Sequence, residues 1–435
     1  MIAAVRSPVF AVSLLLVALL AAACSGGPSQ STPSGSATFS GGVTTSVSSS
    51  GEPAADPYPQ AKRVAVHYAE ALGLGRDRAA RALSDPSDAK ARRTLRQFQS
   101  FLHAIPIARI DAQPSPVSLP APYPATDVGV MLDLRARLSR HALTDWVPLG
   151  QRALVLSPQG DGWRVDQDAT HSGVVTVVPS GLALFEHPHF LTGTRATVVY
   201  GLESAASEAR TIRSAADATV PHIASTYGGG PAAARPLIFL VKDRDQGQQL
   251  IGHDIGQTAV LGTVSDSFTY VFMRQYRRVD SVSQSSSVAG MMTLLATRVM
   301  FRHVPTSLTQ GVASYEQNVY LNGRGFLLPL DGVAVAYPGY QTLKRWTTTD
   351  SLWGLEGHGQ QLAAQDALAM GHVIISDHGG VAALKRLGRA FRNASGGDFT
   401  PAQVRAAFTK ALHASFDHVV SEAHAYVAGG SWKFG

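Results

Sequence analysis

The chain has 435 residues, 45% of them apolar, with Trp, Phe, Leu and Val spread throughout, which excludes a wholly disordered chain and fits two packed units better than one. Lys and Arg exceed Asp and Glu by 37 to 31, giving a formal net charge of +6. Such basicity could favour anionic lipid or wall polymers, but the cations look scattered, with short pairs such as Arg92-Arg93 and Arg277-Arg278, and read as a solvated basic surface.

The N-terminus opens on one cation, Arg6, and an apolar run from Val9 to Ala23. That run suits the core of a signal peptide and is short for a membrane span, which needs about 20 apolar residues. Ala21, Ala22 and Ala23 lead into Cys24, the sole cysteine, which therefore has no disulfide partner in the chain. The segment resembles the bacterial lipobox, with Ala21 where Leu is commoner. The resemblance implies removal of residues 1–23 and acylation of Cys24, placing the protein on the outer face of the cell membrane, where a nucleic-acid partner is not expected. Residues 24–59 are rich in Ser, Gly, Thr and Pro and cannot bury enough surface to offset their ordering entropy, so they read as a disordered tether.

Two helices are predicted next, over Gln60 to Leu74 and Ser87 to His103, from apolar positions recurring at three and four residues. The period then changes to two: Val128, Val130, Leu132 and Leu134 alternate as in a half-buried strand. Arg152 to Leu156 reads as another strand, and the Gln159-Gly160-Asp161-Gly162 turn returns the chain through Trp163 to Val165. Helices followed by an antiparallel sheet resemble a cystatin-like α+β roll, assigned to residues 60–190.

From residue 195 the pattern changes. Strands are predicted over Ala196 to Tyr200, Leu237 to Val241, Ala259 to Gly262 and Phe268 to Met273. Helices are predicted over Glu203 to Tyr227, stopped by Gly228 to Pro231, over Ser287 to Phe301 and over Thr306 to Tyr320; Gln360 to Tyr426 reads as mostly helical. The fold class is therefore α+β, the second unit having a small mixed sheet and a mostly helical C-terminal half.

The second region, 195–430, resembles the peptidase MA-like (gluzincin) zinc proteases. Thr293, Ala296, Thr297 and Arg298 match the helix that in that family carries His-Glu-x-x-His. Pro305, Leu308, Gly311, Ala313 and Tyr315 match the following helix, which supplies a third ligand, a Glu. Gly380, Leu384 and Leu387 resemble a later helix start, and Leu412, Ser415 and Tyr426 a closing helix in which His413 stands for the family's Gly and Ala423 for its Trp. The family's chemistry needs two His four residues apart on one helix face to bind zinc, with the intervening Glu as general base. Here Gly290 and Leu294 replace the two His, Met291 the base and Gln310 the ligand Glu. Gly and Leu offer zinc nothing, Gln is neutral, and Met cannot take a proton.

The resemblance thus implies a pseudo-peptidase with no metal and no cofactor. Its vestigial cleft, lined by Gly290, Met291, Leu294 and Gln310, would either hold a peptide segment or have closed over. The 15 His residues include no pair at His-x-x-x-His spacing, and no Gly-x-Ser-x-Gly elbow is present. His303 follows the first motif, with Ser307 and Ser314 near it only as single coincidences, and Asp243-Arg244-Asp245 could pair carboxylates but reads as a charged turn. The leading expectation is a lipid-anchored binding or scaffold protein with the bilayer, and a peptide or envelope protein, as partners. The alternative is an active metallopeptidase or other hydrolase with non-standard residues.

Overall fold

The structure is a computed structural model that describes residues 57–138, 146–173, 175–177, 180–185, 187–201, 206–228, 235–251, 262–265, 268–279, 281–300, 304–322, 342–347, 358–391 and 398–428. Cys24, the tether up to residue 56 and His303 lie outside them, as do residues 203–205, 229–231, 259–261, 301 and 392–397 of the predicted elements; Tyr58 and Pro59, expected in the tether, instead open the first helix. The architecture is α+β.

Helices α1 (Tyr58–Gly73), α2 (Asp77–Ala82) and α3 (Ala89–His103) come first. Asp88 caps α3, its carboxylate accepting from the Ala91 N–H at 2.7 Å, which satisfies one of the orphan donors of the first turn. Four strands follow as an antiparallel meander: β1 (Ile107–Val117), β2 (Val128–Leu138), β3 (Val147–Gln159) and β4 (Gly162–Asp168). The predicted hairpin forms, with Gln159 opposite Gly162. Ala61, Ala65, Tyr68 and Leu72 of α1 and Leu95, Phe98 and Leu102 of α3 pack against Val130, Leu132, Leu134, Leu154 and Leu156 on one sheet face. That burial, at about 25 cal/mol per Å² of apolar surface, is what holds the helical layer on the sheet.

The second sheet has the order β5-β6-β7-β9-β8, from β5 (His189–Thr192), β6 (Thr197–Tyr200), β7 (Leu237–Val241), β8 (Gly262–Ser265) and β9 (Phe268–Phe272). It is mixed: β6, β7 and β9 run parallel, with antiparallel strands at both edges. His189 and Phe190, expected in the first unit, belong to this sheet. The β5–β6 turn is held from α4 (Ala206–Tyr227), where Asp217 accepts the N–H groups of Thr194, Arg195 and Ala196 at 3.1, 2.7 and 2.9 Å. Gly228, at φ +81°, ends α4 in the left-handed region that glycine adopts freely.

The remainder is helical: α5 (Arg244–Ile251), α6 (Met273–Tyr276), α7 (Ser281–Met300), α8 (Thr306–Asn322), α9 (Thr342–Thr347), α10 (His358–Asp377), α11 (Gly380–Phe391), α12 (Pro401–Leu412) and α13 (Phe416–Ala428). α8 packs between α7 and α10. The crossing with α10 is a backbone contact: a Cβ on Gly311 would lie 2.2 Å from the Ala367 carbonyl oxygen, and one on Gly371 2.8 Å from the Gly311 carbonyl. Among the described residues no single helix is long and apolar enough to cross a membrane.

Candidate functional site

The four positions singled out by sequence lie on two consecutive helices that pack along each other. Gly290, Met291 and Leu294 occupy the middle of α7, and Gln310 the second turn of α8. All are buried: Met291 is 1% exposed, Leu294 and Gln310 0%, and every residue from Ser286 to Thr297 and from Thr306 to Ser314 is enclosed. Among the described residues no groove opens at these positions. Met291 and Leu294 join a core cluster with Val198, Ile212, Val288, Leu295 and Ala313, between the second sheet, α4 and α8. These positions lie in a closed interior.

The enclosure is not wholly apolar. Gln310 Nε2 donates to Ser314 Oγ at 3.1 Å, Gln317 Nε2 to Ser286 Oγ at 3.4 Å, and Asn318 Nδ2 to the Ser314 carbonyl at 2.7 Å. The side-chain carbonyl oxygens of Gln310, Gln317 and Asn318 have no hydrogen-bond partner among the described residues. Thr293 and Thr297 turn their hydroxyls back onto their own helix, donating to the carbonyls of Ala289 and Thr293 at 2.9 Å each. These residues make a neutral polar seam, and its acceptors are too weak to hold a divalent ion in a dry interior.

A zinc ion does not fit this donor set. Gly290, Leu294, the Met291 thioether and the neutral Gln310 amide offer no imidazole, no carboxylate and no base. Among the described residues no group of three or more His, Cys, Asp or Glu side chains converges elsewhere.

Sequence reasoning missed the one ionisable carboxylate of α8, Glu316. It is 6% exposed, accepts the Tyr227 hydroxyl through Oε1, and has His222 Nε2 3.1 Å from Oε2. Burial, then the neighbouring charge of Glu316, pushes the Tyr227 phenol far above its ordinary value, so it stays a donor. Glu316 thereby ties α4 to α8. The signal was available, since a lone acid in a helix otherwise free of charge has to find a partner on a neighbouring element.

Near the same helix, the His372 ring lies 5.8 Å from Tyr315 and 4.2 Å from Tyr426, with its Nε2 3.3 Å from Ser376 Oγ. Burial lowers the His372 pKa, against a smaller opposing effect of Asp377, which favours the neutral ring. Ser307 and Ser314 are buried. Asp243 accepts the Gln246 N–H at 3.2 Å in the turn that opens α5, so it serves backbone geometry rather than a carboxylate pair. His189 stacks on Tyr200 with centroids 5.2 Å apart.

No known family model matches this chain, and no curated protein matches it.

Proposed function

We propose that this is a lipid-anchored extracytoplasmic protein whose second unit is a non-catalytic, peptidase MA-like fold that acts by binding or scaffolding, with an N-terminal cystatin-like roll. The observation that carries the reading is the burial of Met291, Leu294 and Gln310, at 1, 0 and 0% exposure, where the family's chemistry needs solvent-facing ligands and a base. Three further features support the ancestry. The mixed sheet is followed, after the single turn of α6, by the two packed helices that carry the altered positions. Gly311, a position shared with the family's second motif, is one where a side chain would strike the backbone of α10. His413, which stands for the family's Gly, has φ +56° and ends α12 in the conformation glycine prefers.

With the interior closed, binding falls to the outer surfaces, and the partner to a peptide or envelope protein. Membrane placement follows from Cys24 and the Ser25 to Pro59 segment. The test is elemental analysis of the purified chain together with turnover on a peptide library. Substoichiometric zinc and no chelator-sensitive turnover are expected. One zinc per chain, or turnover lost on chelation, would overturn the reading in favour of an active peptidase.

A further inference from the structure

The net charge of this chain is not spread over it. Between Tyr58 and His103 there are nine Lys and Arg against four Asp and Glu, a surplus of five in 46 residues. The 332 residues from Ala104 onward hold 27 against 25, a surplus of two. Those 46 residues are the helical layer α1 to α3.

That layer has an inner and an outer side. The inner side is the core against the four-stranded sheet. On the outer side Arg63, Arg76, Arg78, Arg81, Lys90, Arg92, Arg93 and Arg96 are exposed, and Lys62 is half-buried. Arg92, Arg93 and Arg96 fall within one arc of α3, the arc opposite Leu95, Phe98 and Leu102. α1 packs against both α2 and α3, which keeps these cations within one layer.

The four acids of the layer do not neutralise it. Glu70 lies 3.4 Å from His67, and Asp77 3.1 Å from His103. Asp88 caps α3, and Asp85 accepts the side-chain amide of Gln159. Among the described residues none of the nine cations forms an ion pair, whereas Arg135, Arg152, Arg277 and Arg405 elsewhere each do.

A second, independent feature lies in the same layer. Leu74, in the turn between α1 and α2, is 37% exposed and is the one exposed large apolar side chain among the described residues. The tip stands clear, with nothing within 4 Å of where a Cβ on Gly75 would lie. Arg76 and Arg78 follow it. A leucine projecting among cations fits a surface that is anionic outside and apolar just beneath. A soluble anionic polymer would use the cations and leave the leucine idle.

We propose that the outer side of α1 to α3 is a docking surface for an anionic lipid bilayer, with Leu74 entering the headgroup region. The proposal adds an orientation to the membrane placement proposed above and rests on that placement, though its test does not need the acyl chain. The segment expected to run to the anchor joins the folded part at α1, so the basic layer is the side the tether delivers to the bilayer.

The experiment uses the mature chain from residue 24 carrying Cys24→Ser, which cannot be acylated, sedimented with phosphatidylcholine vesicles with and without phosphatidylglycerol. Sedimentation is expected with the anionic vesicles alone and should be lost in high salt. The triple change Arg92→Gln, Arg93→Gln, Arg96→Gln should lower the partition constant at least about tenfold. Leu74→Ser should lower it about threefold or more. Arg405→Gln with Lys410→Gln, exposed cations of α12, should leave it unchanged. Equal sedimentation with neutral vesicles, no sedimentation with either, or an unchanged triple variant would overturn the proposal. Polyphosphate held as tightly as the anionic vesicles, with Leu74→Ser silent in both assays, would overturn the lipid in favour of an anionic polymer. If Cys24 in the wild-type chain proves unacylated by mass while anionic vesicles are still bound, the anchoring reading falls and the docking surface stands.

Discussion

Arg152 sits buried between the rings of Phe98 and Phe101, with its guanidinium carbon 5.3 and 4.6 Å from their centroids and Nη1 3.4 Å from Asp168 Oδ2. Burial lowers its pKa, and the charge of Asp168 opposes that shift. Asp168 also accepts the Thr170 N–H at 2.9 Å, so its place in the interior depends on several donors at once. Removing the cation alone leaves a buried carboxylate without its counter-charge. Arg152→Ala is therefore expected to destabilise the chain by about 3–5 kcal/mol, read as a lower urea midpoint, whereas Arg152→Met with Asp168→Leu should cost less, since no charge is stranded and the loss is that of the acceptor for the Thr170 N–H. At this scale the sequence was informative about identities and silent about partners. That Gly290, Met291 and Leu294 cannot bind zinc follows from their side chains alone. That Glu316 meets Tyr227, 89 residues away, depends on how α4 and α8 are brought together, which no local pattern encodes.

Elements with strong periodicity were legible, and those without it were not. α3 begins within two residues of its expected start because Asp88 and the Leu95, Phe98, Leu102 stripe both mark it. β1 escaped notice because Pro114 and Pro116 interrupt it and its residues do not alternate; it is an edge strand paired only with β2, where missing N–H donors are tolerated. β5 has four residues and takes its place from pairing with β6 and from Asp217 rather than from its own pattern. Gly311 was read as part of a motif, and the structure supplies its reason. Two helix backbones meet at Gly311 and Gly371, and the atom a side chain would strike is a carbonyl oxygen that cannot swing aside. Gly311→Ala should destabilise by about 1–3 kcal/mol or more through overpacking, although alanine is the better helix former. A thermal midpoint equal to or above that of the parent would show that α8 and α10 can separate without loss.

At the scale of the whole chain, the two regions that differ in sequence pattern share one interior. Leu182 and Phe185, in and just after a 3₁₀ turn at Gly181–Leu184, lie in the same core cluster as Leu132 and Leu156 of the first sheet and Val199, Phe239, Tyr270 and Phe272 of the second. Phe185 stacks on Phe239 with centroids 6.5 Å apart, and Phe239 in turn lies 5.3 Å from Tyr270. The turn is also held from the second region, since Gln246 Nε2 donates to the Leu184 carbonyl at 3.3 Å. The composition change near residue 195 marks a change of architecture, and it does not mark a gap between cores. A wedge of this kind was illegible in sequence because Gly181 to Phe185 is too short to show a period. It has a mechanical consequence: deleting residues 60–190 to isolate the second region would strip Phe239 and Tyr270 of their cover and leave an apolar face on the second sheet exposed to water. The truncated chain is expected to aggregate. The intact chain should unfold in one cooperative transition, with calorimetric and van't Hoff enthalpies in agreement. Two resolved transitions, or a soluble and folded truncation, would mean that the shared cluster adds little and that the two regions are held together chiefly by the chain between them.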